Sequence, residues 1–237
     1  MAFQLLKYTV VYLLLVVSSC GANAAIIVDY NIDALSGSPT SVGAASSTTG
    51  VTPISLSVGL GLDPISISGS PSYFGANGWD STDPDDYFEF GFTVQSGYVA
   101  TLTQVSLSIM TRPTGPQEIG LYLLTGTSGT PVQLSSIILA QDTITPWTTS
   151  VSIAGLTSSA RLRLIEIGNK SAENPLMPTG SGSLRLFNTS GTNIQVLGNV
   201  TLATVPEPSH GLFLMAGLFA WLRRRKSKIA GDASQQQ

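Results

Sequence analysis

Hydrophobic positions in the middle of the chain recur at every second residue. Phe88, Phe90, Phe92 and Val94 alternate with Glu89, Gly91 and Thr93; Val105, Leu107 and Ile109 alternate with Ser106 and Ser108; Ile54, Leu56 and Val58 alternate with Ser55 and Ser57. Successive side chains of a strand point to opposite faces, so this period predicts strands with one apolar and one polar face. Further strands are expected over residues 26–30, 65–68, 119–124, 132–139, 151–154, 161–167, 184–188 and 194–202. Breaks rich in Gly, Pro, Ser and Thr, such as residues 111–116 and 125–129, separate them. Between the two ends no stretch carries the 3.6-residue period of an amphipathic helix. The pattern predicts an all-β fold, an antiparallel β-sandwich of jelly-roll-like type, because two facing sheets each bury one face. Residues 37–50 are nearly all Ser, Thr, Gly and Ala, too polar to pack a core, and are expected to form a loop.

The two ends break the pattern. Lys7, the apolar run 10–17 and the small residues Ala22-Asn23-Ala24 have the three parts of a secretory signal peptide ending at Ala24. Val17-Ser18-Ser19-Cys20 offers a second parse, a loose lipobox whose Cys20 would be lipidated. With cleavage after Ala24 the mature chain has no cysteine, which excludes disulfides, a thiol nucleophile and thiolate metal sites. At the other end Pro206 and Pro208 prevent a helix from starting before Ser209, an able N-cap. Residues 211–222 then carry no charge, and Arg223, Arg224, Arg225 and Lys226 follow as a cytoplasmic stop. About 13 helical residues span roughly 20 Å against a ~30 Å hydrocarbon core. The expected single transmembrane helix is therefore short, suited to a segment held briefly and then removed.

Pro206-Glu207-Pro208, the apolar segment and the basic cluster together resemble the PEP-CTERM sorting signal. The resemblance covers about twenty residues, in the family's order and at the family's end of the chain. It implies that an exosortase-type membrane enzyme is the processing partner. Pro206, Glu207 and Pro208 are then recognition residues of a substrate, with delivery to the cell surface or extracellular polysaccharide matrix. The polar stretch after the basic cluster departs from members that stop soon after it. The layout expected is a signal peptide (1–24), a β-sandwich domain (25–204), the sorting signal (205–228) and a polar tail (229–237).

Charge narrows the partners of the central domain. Residues 25–205 hold twelve carboxylates against five cations, a net charge of −7, which disfavours nucleic acid and anionic membrane surfaces. The only histidine, His210, lies in the sorting segment, so a Ser-His-Asp triad or a histidine general base is not available to the domain. Carboxylates remain. Asp80, Asp83, Asp85 and Asp86 fall within seven residues before the Phe88 strand, and oxygen ligands in a loop suit a structural Ca²⁺. The spacing is not that of an EF-hand, and a solvated acidic turn bent by Pro84 is the alternative. Glu89, Glu118 and Glu166 are the candidates for a glycosidase pair, although Glu89 lies on the polar face of its strand and reads as a surface residue. Trp79, beside the acidic loop, is the candidate for stacking on a glycan, with burial in the core as the alternative. The reading that results is an exported, non-catalytic surface or matrix protein, structural, adhesive or associated with exopolysaccharide. A carbohydrate-binding or carbohydrate-active secreted domain is the alternative.

Overall fold

Where the alternation is continuous, strands form. The computed structural model describes residues 24–204 apart from 34, 68–71, 81, 127–128, 175–181 and 190–192, and among the described residues there are fourteen strands and no helix. In chain order they are β1 (Ala25–Tyr30), β2 (Ser41–Val42), β3 (Ser46–Ser47), β4 (Val51–Val58), β5 (Asp63–Pro64), β6 (Tyr73–Asn77) and β7 (Tyr87–Val94). The second half holds β8 (Tyr98–Thr111), β9 (Glu118–Thr125), β10 (Val132–Ile138), β11 (Thr145–Leu156), β12 (Ser159–Glu166), β13 (Leu184–Phe187) and β14 (Ile194–Leu202). All belong to a compact unit ending at Leu202. The signal peptide, Cys20, the Pro206-Glu207-Pro208 motif, the transmembrane segment and the basic cluster lie outside the described residues. No helix among the described residues is long and apolar enough to cross a membrane.

The strands form two antiparallel sheets. One runs β10-β9-β12-β7-β4-β2; the other runs β3-β1-β14-β8-β13-β6-β5, with β11 on the free edge of β8. Residues of β8 near its start pair with β14 and its last four pair with β13, both on the edge opposite β11, so the larger sheet forks along this one long strand. The apolar faces of both sheets meet in one core. Phe88, Phe90 and Phe92 are fully buried, each such ring contributing about 1.5–3 kcal/mol relative to an exposed one. Phe88 meets Phe74 of the opposite sheet at 5.4 Å and Trp79 edge-on at 5.0 Å.

A tyrosine ties the two layers together. Tyr30, at the end of β1, is fully buried and lies edge-on to Phe90 across the core at 6.1 Å. Its hydroxyl accepts the Gly91 N–H at 2.9 Å and lies within bonding distance of the Gly91 carbonyl at 3.0 Å and the Ile54 carbonyl. Here the β4–β7 register slips between Ile54 and Ser57, so backbone groups that a regular ladder would pair are left open. The phenol serves them. Gly91 has φ 136°, and a Cβ there would lie 2.1 Å from the Ala160 carbonyl oxygen, so only glycine fits the irregularity.

Several boundaries differ from the sequence expectation. A strand is expected over residues 65–68; residue 68 lies outside the described residues, and among the described residues here ladder pairing is limited to Asp63–Pro64, with a lone bridge from Ile67 to Gly37. Tyr73–Asn77 forms a strand without alternation, since three of its five residues are buried in succession. The hydroxyl-rich stretch 37–50 supplies β2 and β3, because edge pairing asks only for backbone groups.

Candidate functional site

The outward face of the six-stranded sheet gathers chemistry that the inward face excludes. In β12, Ala160, Leu162, Leu164 and Glu166 are buried toward the core, which turns Arg161 and Arg163 outward. In β7 the inward phenylalanines turn Tyr87 and Glu89 outward, and in β9 inward Ile119, Leu121 and Leu123 do the same for Tyr122. The register then sets these side chains side by side. Gln133, Tyr122, Arg163, Glu89, Ser57 and Ser41 form one lateral row across all six strands. Neighbouring strands are about 4.8 Å apart, so the row is roughly 24 Å long, enough for several sugar rings laid end to end.

Its centre is a clamp. Glu89 Oε1 accepts from Arg161 Nε at 3.0 Å and Nη2 at 2.8 Å, while Oε2 accepts from Arg163 Nε at 2.7 Å. Arg163 also lies over the Tyr87 ring at 3.7 Å, a cation–π contact that orients its guanidinium. Glu89 is only 7% exposed, which corrects its reading as an ordinary surface residue: it is on the polar face, but two arginine stems cover it. Beside the clamp, the Tyr122 hydroxyl donates to Gln133 Oε1 at 3.3 Å, and the ring passes close over Gly120, where a Cβ would lie 2.5 Å from Cε2. Two of the acidic domain's five cations therefore converge on one face, flanked by half-exposed tyrosines.

The glycosidase candidates do not assemble. Glu166 points to the core side of β12, opposite in parity to Arg161 and Arg163. Glu118 lies four residues along β9 from Tyr122 and two strands from Glu89, a separation of roughly 16 Å at ordinary strand spacings, beyond the ~9.5 Å limit for paired catalytic carboxyls.

No protein-family model and no curated protein matches this chain. Among solved structures it is similar to carbohydrate-binding modules of family 29. One such module is 12% identical with a TM-score of 0.39, over 76% of this chain and 90% of the module. Another, from Piromyces equi, is 11% identical with a TM-score of 0.37, over 76% and 91%. A mutant module complexed with mannohexaose is 12% identical with a TM-score of 0.38, over 76% and 94%.

Trp79 is not a stacking platform. It is 2% exposed, packs on Phe88, and its Nε1 donates to the Ala76 carbonyl at 3.0 Å, so neither ring face is free for a glycan. The acidic loop joins β6 to β7. Asp80 Oδ1 accepts from Thr82 N and Oγ1 at 2.9 and 2.8 Å, Asp83 Oδ1 accepts from Asp85 N at 2.8 Å, and Asp86 Oδ2 accepts from Asp80 N at 2.6 Å. The Thr82 bonds hold the Asp80 carboxyl below its ordinary range. Asp86 differs from the other three in being buried, and burial, aided by the charges of Asp83, Asp80 and Asp85, pushes its carboxyl up to about 6 against the pull of the Asp80 N–H. No three His, Cys, Asp or Glu side chains converge as a metal centre among the described residues.

The alternation around Arg161-Leu162-Arg163 and Tyr87-Phe88-Glu89 already marks these residues as outward-facing. What the sequence lacks is the register that brings them together.

Proposed function

We propose that this chain is an exported, non-catalytic carbohydrate-binding protein, and that a polysaccharide lies along the outward face of its six-stranded sheet. The observation that carries the reading is the lateral row from Gln133 through Tyr122, Arg163 and Glu89 to Ser57 and Ser41. Sugars present apolar ring faces and rims of hydroxyls. Tyrosine rings suit the first, and oriented arginine, glutamine and serine groups suit the second. The Glu89 clamp and the Tyr87 contact fix the arginines before a ligand arrives, which lowers the entropy cost of binding. The surplus of arginine over carboxylate at the centre of the row favours glycans that carry acidic groups, in a domain whose net charge would otherwise repel them. Delivery belongs to the same proposal: the Pro206-Glu207-Pro208 motif and its apolar and basic sequel suit exosortase-type sorting of a jelly-roll-like sandwich into a polysaccharide matrix.

Affinity electrophoresis through gels cast with neutral and acidic polysaccharides tests the binding. Retardation of the wild type, lost in Tyr122→Ala and Arg163→Ala while Trp79 fluorescence stays native, supports the proposal. Each truncation should cost about 1–2 kcal/mol, or roughly five- to thirtyfold in affinity. Retardation unaffected by both variants would reject this face.

A further inference from the structure

The acidic loop holds a group that the glycan face does not use. Asp86 is 2% exposed, and its Oδ1 has no hydrogen-bond partner although its Oδ2 is satisfied by the Asp80 N–H. An unpaired carboxylate oxygen is among the most costly groups to bury, so a partner is called for. Asp83 repeats the arrangement at the surface: Oδ1 accepts from the Asp85 N–H, and Oδ2 lies toward Gly61. The two free oxygens converge on the loop between β4 and β5. A Cβ built on Gly61 would lie 2.1 Å from Asp86 Oδ1 and 3.1 Å from Asp83 Oδ2, so the glycine leaves room for both. The loops are bound together, with Gly61 N–H donating to the Asp85 carbonyl at 3.3 Å and Gly59 N–H to the Tyr87 carbonyl at 2.8 Å.

We propose that Asp83 and Asp86 bind a divalent cation beside Gly61 and that the ion is Ca²⁺. One oxygen of each carboxylate shapes the loop and the other serves the ion. Ca²⁺ takes six to eight oxygens in flexible geometry, so two carboxylates are completed by backbone carbonyls and water, whereas Mg²⁺ demands a near-ideal octahedron that an exposed loop does not impose. Only two of the four aspartates are ligands. Asp80 and Asp85 supply negative potential that draws the cation in. The site does not depend on the glycan reading.

The test uses the full chain, stripped with chelator, and Tb³⁺ as a luminescent stand-in for Ca²⁺, with Trp79 next to Asp80 as the antenna. Saturable Tb³⁺ emission, displaced by Ca²⁺ and not by equal Mg²⁺, is expected, together with a Ca²⁺-dependent rise in the thermal midpoint. Asp83→Asn alters an exposed residue and keeps its Oδ1 for the Asp85 N–H, so it should fold normally and bind at least tenfold more weakly. Asp86→Asn should abolish the response. Absence of emission and of a midpoint shift in the wild type would overturn the proposal, as would equal responses in wild type and Asp83→Asn.

Discussion

Replacing Tyr30 by Phe removes one oxygen atom and nothing else from the core. The ring keeps its edge-on contact with Phe90, and no side-chain carbon is lost. What disappears is the hydroxyl that bridges the irregular stretch where Gly91 opposes Ile54. The Gly91 N–H becomes an orphaned buried donor, which costs about 1–3 kcal/mol, and the carbonyls of Ile54 and Gly91 lose a donor worth about 1 kcal/mol more. The expected destabilisation is about 2–4 kcal/mol, a fall of roughly 4–16 °C in Tm for a domain of this size. Urea titration followed by the fluorescence of buried Trp79 and Trp147 reads it directly, with an unchanged m-value as the sign that the denatured state is unaffected. Alkaline pH supplies a second readout. Burial raises the Tyr30 phenol far above its ordinary value, so it contributes stability that is full below about pH 10 and is lost as pH rises beyond it. Tyr30→Phe removes that component of the alkaline limb. A variant within about 0.5 kcal/mol of wild type would refute the inter-sheet bridge.

Other perturbations follow from the same contacts. Glu89→Gln leaves Arg161 and Arg163 side by side without their shared carboxylate and should cost about 1–3 kcal/mol in urea melts, with a further loss of polysaccharide retention. In chelator, the raised Asp86 carboxyl contributes stability that is full below about pH 4 and is lost as pH rises through about 6. It is read as the difference between wild type and Asp86→Asn across that window. Gly91→Ala drives a Cβ into the Ala160 carbonyl at a positive φ and should destabilise the β7–β12 pairing enough to lower yield of folded protein, checked by circular dichroism. Intact-mass spectrometry of envelope and medium fractions should find a chain beginning at Ala25 and ending near Pro206-Glu207-Pro208; a chain reaching Gln237 would contradict delivery to the matrix.

Strands whose inner face is continuously apolar were legible without coordinates. The alternation Phe88-Glu89-Phe90-Gly91-Phe92 fixes both the strand and its two faces. Period two fails where a strand is buried on both sides, as in Tyr73–Asn77, and where pairing rests on backbone alone, as in Ser41–Val42. Length was also underread: β8 and β11 extend through Thr, Ser and Gln positions because long pairing to each other continues beyond the apolar core. At the candidate site the parity of Arg161, Arg163 and Glu89 was readable, but the clamp was not. Residues 89 and 163 meet only because β7 and β12 pair in one particular register, and a shift of a single residue would send every one of these side chains into the core. For Trp79, adjacency to the acidic loop made it the candidate for stacking on a glycan, and the structure gives the other alternative, burial, with the indole packed edge-on against Phe88.

The most direct test of glycan binding by the sheet face is residue-resolved NMR of the labelled domain titrated with oligosaccharides from the polysaccharide that retards it. Chemical-shift changes concentrated at Tyr87, Glu89, Tyr122, Gln133, Arg161 and Arg163 would match the account. Changes confined to the eight-stranded sheet, or absent at saturating oligosaccharide, would contradict it.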